Sequence, residues 1–240
     1  MRDIKKSANI YLTIISIIGC TCFLFMKPFQ INTAHETVII FALIGSILLL
    51  NHYTIPLPPE GNSISMDSAI YLASLYLFGL DHTLQVLFIN AVIYAIYKWK
   101  IAWWKHLFNF SIYNLMIISA YYVFIYTGGK IGTIYAINLS PYILSLSIYF
   151  IVNMLLINYY FSLKQPDGTA SLFSGIIKDK TFLVSYFSTL LLSIMLGILL
   201  NQQGILAAFY LSVWRFFYPL LLISIFSYSR KPLTRPTKIS

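Results

Sequence analysis

Charge is what this chain has least of. Asp, Glu, Lys and Arg make up only 10% of its 240 residues, and just 7 of these are acids; soluble domains carry about 25%. With so few carboxylates, no apolar stretch holds two of them, which excludes an intramembrane aspartyl pair or a carboxylate metal site. There is no His-Glu-x-x-His and no Gly-x-Ser-x-Gly. The four histidines, His35, His52, His82 and His106, are dispersed at the ends of apolar stretches. Cysteine is equally scarce. Cys20 and Cys22 lie two apart in one apolar stretch, so on a helix they point in different directions and no disulfide joins them. Two thiols with no histidine nearby are not a zinc site. Ile17-Ile18-Gly19-Cys20 has the outline of a lipoprotein cleavage box, but apolar sequence continues through Met26, so the segment is expected to stay as an anchor. The chain is therefore expected to be no enzyme and to hold no cofactor or metal.

What is there is apolar sequence, 59% of the chain. It falls into eight stretches, near 10–26, 37–50, 64–79, 83–97, 107–126, 141–161, 181–200 and 205–228. A span needs roughly 17–25 apolar residues, so the expected fold is all-α, a polytopic transmembrane bundle of about eight helices. Residues 1–228 form one membrane domain and 229–240 a basic, disordered tail. The stretches 64–79 and 83–97 form a hairpin turning at Gly79-Leu80-Asp81-His82. Each arm is about 24 Å long, short for a hydrocarbon core of about 30 Å. Both arms are expected to span fully; a re-entrant hairpin would reduce the count to six helices.

Basic residues fix the expected orientation. Thirteen of the 16 lie before the first stretch, in alternate gaps or after the last, whereas Lys27 and Lys130 occupy the other side. By the positive-inside rule both termini are cytoplasmic, and the location is a bacterial inner membrane. The net charge of +9 is topological on this reading, and its partner is the lipid bilayer, not nucleic acid. The same holds for Lys98-Trp99-Lys100-Ile101-Ala102-Trp103-Trp104-Lys105, which reads as an interfacial aromatic belt and not as a base-stacking surface. Pro56, Pro58 and Pro59 make 52–62 a stiff loop without helix. Gly128 and Gly132 have Gly-x-x-x-Gly spacing but lie in a turn, so they are not a helix-dimerisation motif. A short interfacial helix is expected at 170–177.

Few polar residues lie at membrane depth, and these are the candidate site. Arg215 lies in the middle of the last stretch, where a charge costs about 2.5–3.5 kcal/mol. Asp67 opens the third stretch after Asn62, Ser63 and Ser65, a position suited both to capping and to ligand contact. Asn109 and Asn114 lie on the fifth stretch. Five residues apart they are about 140° apart around the helix, so they do not line one narrow face. Asn90, Asn153 and Asn158 complete the set. Arg215, Asp67, Asn109 and Asn114 are the expected ligand-binding residues; interhelical hydrogen bonding is the alternative role for the asparagines.

Leu57-Pro58 and Gly61 lead into Ser63-Ile64-Ser65-Met66. Leu72-Ala73-Ser74-Leu75-Tyr76-Leu77-Phe78-Gly79 follows, then a second helix and Trp103-Trp104-Lys105-His106-Leu107-Phe108-Asn109. This arrangement resembles the N-terminal multi-span sensor regions that precede GGDEF or HD-GYP domains in bacterial cyclic-di-GMP signalling proteins. The resemblance covers about a quarter of the chain and implies a membrane input module for a small-molecule signal, with a cytoplasmic or membrane output partner. No Gly-Gly-Asp-Glu-Phe follows Tyr228, so it implies no cyclase or phosphodiesterase activity here; the chain would be a standalone relative or part of a longer protein. The apolar helix ending in Phe78-Gly79 before a second helix also looks like substrate-binding subunits of energy-coupling-factor vitamin transporters.

Overall fold

The apolar stretches become helices because nothing polar in them competes for the backbone. The computed structural model describes residues 2–29, 33–50, 55–57, 62–64, 67–132, 134, 138–164 and 180–203. It contains α1 (Arg2–Phe25), α2 (Ala34–Leu50), α3 (Asp67–Tyr97), α4 (Trp103–Tyr126), α5 (Ser140–Lys164) and α6 (Lys180–Gln203). Two three-residue strands, β1 (Ile55–Leu57) and β2 (Asn62–Ile64), pair antiparallel between α2 and α3, with Pro56 opposite Ser63. The ribbon lies where the stiff loop without helix was expected and adds a strand pairing to it. Proline is tolerated because a two-stranded ribbon consists only of edges. The last expected stretch at 205–228, the tail and the interfacial helix at 170–177 lie outside the described residues.

By length and composition, four stretches suit a membrane crossing: Lys6–Phe25, Asp67–Tyr97, Trp103–Tyr126 and Ser140–Lys164. Their outward surfaces are apolar too. Ile17, Leu24, Val92, Ile125 and Leu155 are exposed, as in helices that face lipid. Inside, aromatic side chains fill the centre: Tyr71, Tyr76, Phe124, Tyr142 and Tyr149 are almost wholly buried.

Of the four, α3 is folded in two. Gly79 has φ 81° and ψ −172°, a conformation essentially reserved for glycine. The contacts show a reversal and not a bend. Asn90 Nδ2 donates to Tyr71 Oη at 2.8 Å and Thr83 Oγ1 to Ser74 Oγ at 3.0 Å. On a straight helix Tyr71 and Asn90 would be about 28 Å apart. A hairpin is therefore present, with a break of one residue where a four-residue turn was expected, and Asp81 and His82 belong to the second arm. The expectation that both arms span fully is corrected for the first arm: at 12 residues, 67–78 is about 18 Å long, too short to cross a hydrocarbon core of about 30 Å.

Neighbouring helices set the direction of each arm. Helices α1 and α4 run parallel, since Ser16 meets Ser111 and Gly19 meets Asn114. α5 runs antiparallel to α4, with Ser145 against Ala120 and Phe108 near Tyr160. The first arm (67–78) runs with α4, from Tyr113 toward Phe124. The second arm (80–97) returns along it, so that Tyr94 reaches His106.

Three segments meet the hairpin tip. Gly132 N–H donates to Tyr76 O at 3.1 Å, a carbonyl whose ordinary helical donor lies beyond the break. The Gln85 amide donates to Pro28 O, after α1. Glu36, at the start of α2, lies 3.8 Å from His82 Nε2. Glu36 lies just before the stretch expected from 37 and completes a capping box at the start of α2. Thr33 N–H donates to Glu36 Oε2 at 2.7 Å, and Glu36 N–H to Thr33 Oγ1 at 3.3 Å.

Candidate functional site

A half-length helix puts its polar N-terminus inside the bundle. The first arm of α3 is only about 18 Å long, so Asp67 lies at mid-height while Gly79 is at the end. Its neighbours confirm the level: Tyr113 is near the middle of α4, and Tyr149 is well inside α5.

Around this N-terminus the bundle collects its buried polar groups. Asp67 is 5% exposed and accepts a hydrogen bond from Tyr113 Oη at 3.2 Å. Tyr149 Oη donates to Ser68 Oγ at 3.1 Å. Tyr71, one turn beyond Asp67, has its ring 5.6 Å from that of Tyr113. Asn90 on the second arm bonds Tyr71 through Nδ2, while its buried Oδ1 has no hydrogen-bond partner among the described residues. The carboxylate at the first helical position also complements the helix dipole.

The chemistry on offer is hydrogen bonding. A carboxylate, a bare amide oxygen and phenol hydroxyls beside aromatic faces recognise N–H or O–H groups of a ligand. Among the described residues no group of three or more His, Cys, Asp or Glu is placed to hold a metal ion.

Of the three expected ligand residues that are described, Asp67, Asn109 and Asn114, only Asp67 belongs to this cluster. Asn114 is fully buried, but it faces α1, where Nδ2 donates to Gly19 O at 2.7 Å. With Ser111 Oγ donating to Ser16 O at 3.2 Å, it joins α1 to α4. That seam is tight: a Cβ at Gly19 would overlap Ser111. Asn109 is exposed on the outer face of the described helices, away from the Asp67 cluster. Arg215 lies outside the described residues.

The residues missed by the sequence reading are Ser68, Tyr71, Tyr113 and Tyr149. Their signal was position. Tyrosine in a span normally sits at the membrane interface, whereas Tyr113 and Tyr149 fall deep within long apolar stretches. Comparisons with protein-family models, with curated proteins and with solved structures find no match to this chain.

Proposed function

We propose that this protein is a non-enzymatic membrane module that binds a small or lipidic signal at the Asp67 cluster and passes a shift of the α3 hairpin to a cytoplasmic partner. The supporting observation is the buried N-terminus at mid-height, with Asp67, Tyr113, Tyr71 and Asn90 converging on it. Non-helical backbone at such depth is tolerated only against protein or a wet cavity, and membrane proteins use such half-helices as ligand sites. The lysine and arginine distribution favours cytoplasmic termini in a bacterial inner membrane. In that orientation the hairpin tip faces outward, and the second arm connects it to the cytoplasmic rim.

The interrupted helix also favours a second reading, a substrate-binding subunit of an energy-coupling-factor-type transporter, because transporters place substrates at broken helices. One experiment addresses the site in both. The protein in nanodiscs is screened by thermal shift against small metabolites and lipid extracts. A stabilising compound whose effect is lost in Asp67→Asn and Tyr113→Phe supports the site; Asp67→Asn responding like wild type to every stabilising compound contradicts it. Uptake of a radiolabelled vitamin into vesicles, with and without an energising module, separates transport from sensing.

A further inference from the structure

The turn from α3 into α4 carries a surface that the Asp67 cluster does not use. Lys98, Lys100 and Lys105 are exposed there, and Trp99 and Trp103 are 76% and 74% exposed. Exposed tryptophans beside lysines suit the membrane–water interface, where the ring is held between apolar chains and headgroups. Two of the ammonium groups are held over rings: Lys98 Nζ is 5.0 Å from the Tyr97 centroid and Lys105 Nζ 5.4 Å from that of Trp104. No acid occurs between Asp81 and Asp167, and among the described residues none of these lysines pairs with a carboxylate. The positive charge is thus concentrated on this exposed turn without a neutralising acid among the described residues.

Asn109 adds a second, uncharged observation. It lies one turn beyond Lys105 on the same exposed face, and its side chain makes no hydrogen bond to another described residue. It is about 6 Å deeper along the helix axis. With the lysines at the phosphate level, that depth is where a phospholipid's glycerol esters lie. In hydrocarbon an unpaired amide is penalised; against an ester carbonyl its N–H groups are satisfied.

We infer that this surface binds the headgroup of an anionic phospholipid, Lys98, Lys100 and Lys105 holding the phosphate and Asn109 the glycerol ester. The exposed apolar residues bordering it, Ile96 and Trp103, flank acyl chains and not a nucleic-acid backbone. The site stands apart from the Asp67 cluster.

Three of the chain's four tryptophans lie in this turn, so they report on their own ligand. The purified full chain, in uncharged detergent, is titrated with brominated phosphatidylglycerol and separately with brominated phosphatidylcholine, and tryptophan quenching is followed. Half-quenching is expected at a several-fold lower concentration of phosphatidylglycerol. Replacing each lysine by glutamine should weaken that preference roughly fivefold, and the triple variant should lose it. Asn109→Leu changes no charge, so a weakened phosphatidylglycerol affinity there marks a defined site, whereas an unchanged affinity overturns the role of Asn109. Lys130→Gln, at the far end of α4, should behave as wild type. Equal quenching by both lipids, or a preference surviving in the triple variant, overturns the proposal. Displacement of the lipid by millimolar inorganic phosphate or by a short oligothymidylate also overturns it, by assigning the patch to free phosphate or nucleic acid.

Discussion

Replacing Gly79 by alanine is predicted to destabilise the protein, and the sign of the effect is diagnostic. At φ 81° and ψ −172° a residue with a Cβ is strained by roughly 1–3 kcal/mol. The new methyl would also lie 3.3 Å from Ile131 Cδ1, a tight contact with a flexible side-chain end, so the backbone dominates. Were 67–97 a continuous helix, the same substitution would instead stabilise it by about 1 kcal/mol. Gly45 supplies the control. It lies within α2 with nothing within 4 Å of an added methyl, so Gly45→Ala should gain about 0.5–1 kcal/mol. Reversible unfolding in mixed micelles with increasing dodecyl sulfate, followed by circular dichroism, compares the two variants. If Gly79→Ala proves as stable as Gly45→Ala, the folded-back hairpin is wrong.

Asn114→Ala removes the bond to Gly19 O and should cost about 1–2 kcal/mol in the same unfolding assay. Tyr113→Phe takes a donor from the buried Asp67 carboxylate; a loss of about 1–3 kcal/mol is expected, and Asp67→Asn in the Tyr113→Phe background should recover part of it, measured as a double-mutant cycle. Thr33→Ala breaks the capping box at α2 and should lower stability by about 0.5–2 kcal/mol, with unchanged stability counting against the cap.

Helix positions were legible because apolar stretches bounded by lysine, proline and glycine leave the backbone one favourable choice. The stretch 141–161 grew only to Ser140–Lys164, and 181–200 to Lys180–Gln203. Gly79 was legible as a break, but its one-residue reversal was not. That geometry depends on Gly132 supplying a donor to Tyr76 O, a contact across 56 positions of sequence. Thr33-x-x-Glu36 is a local motif that marks the helix start just before the stretch expected from 37. The asparagines show the limit of composition. Asn109 and Asn114 are chemically identical and near in sequence, yet one faces outward and the other fastens α1 to α4. Helical rotation separates them, but which side is interior depends on where α1 packs. Asp67 was found because an acid in an apolar stretch is costly. Its partners were not, because tyrosine is ordinary in a chain with 19 of them, and only the fold brings Tyr71, Tyr113 and Tyr149 to one level.

The most direct test of the fold-back is a distance across the hairpin. With Cys20 and Cys22, both free thiols, replaced by alanine, nitroxide labels go on Ser68→Cys and Val92→Cys, and pulsed electron paramagnetic resonance reads their separation in lipid. A hairpin with adjacent helix axes about 8–10 Å apart predicts a distance below about 20 Å. A distribution centred near 36 Å, the length of an unbroken helix between those positions, would contradict it and would remove Asp67 from mid-height in the bundle.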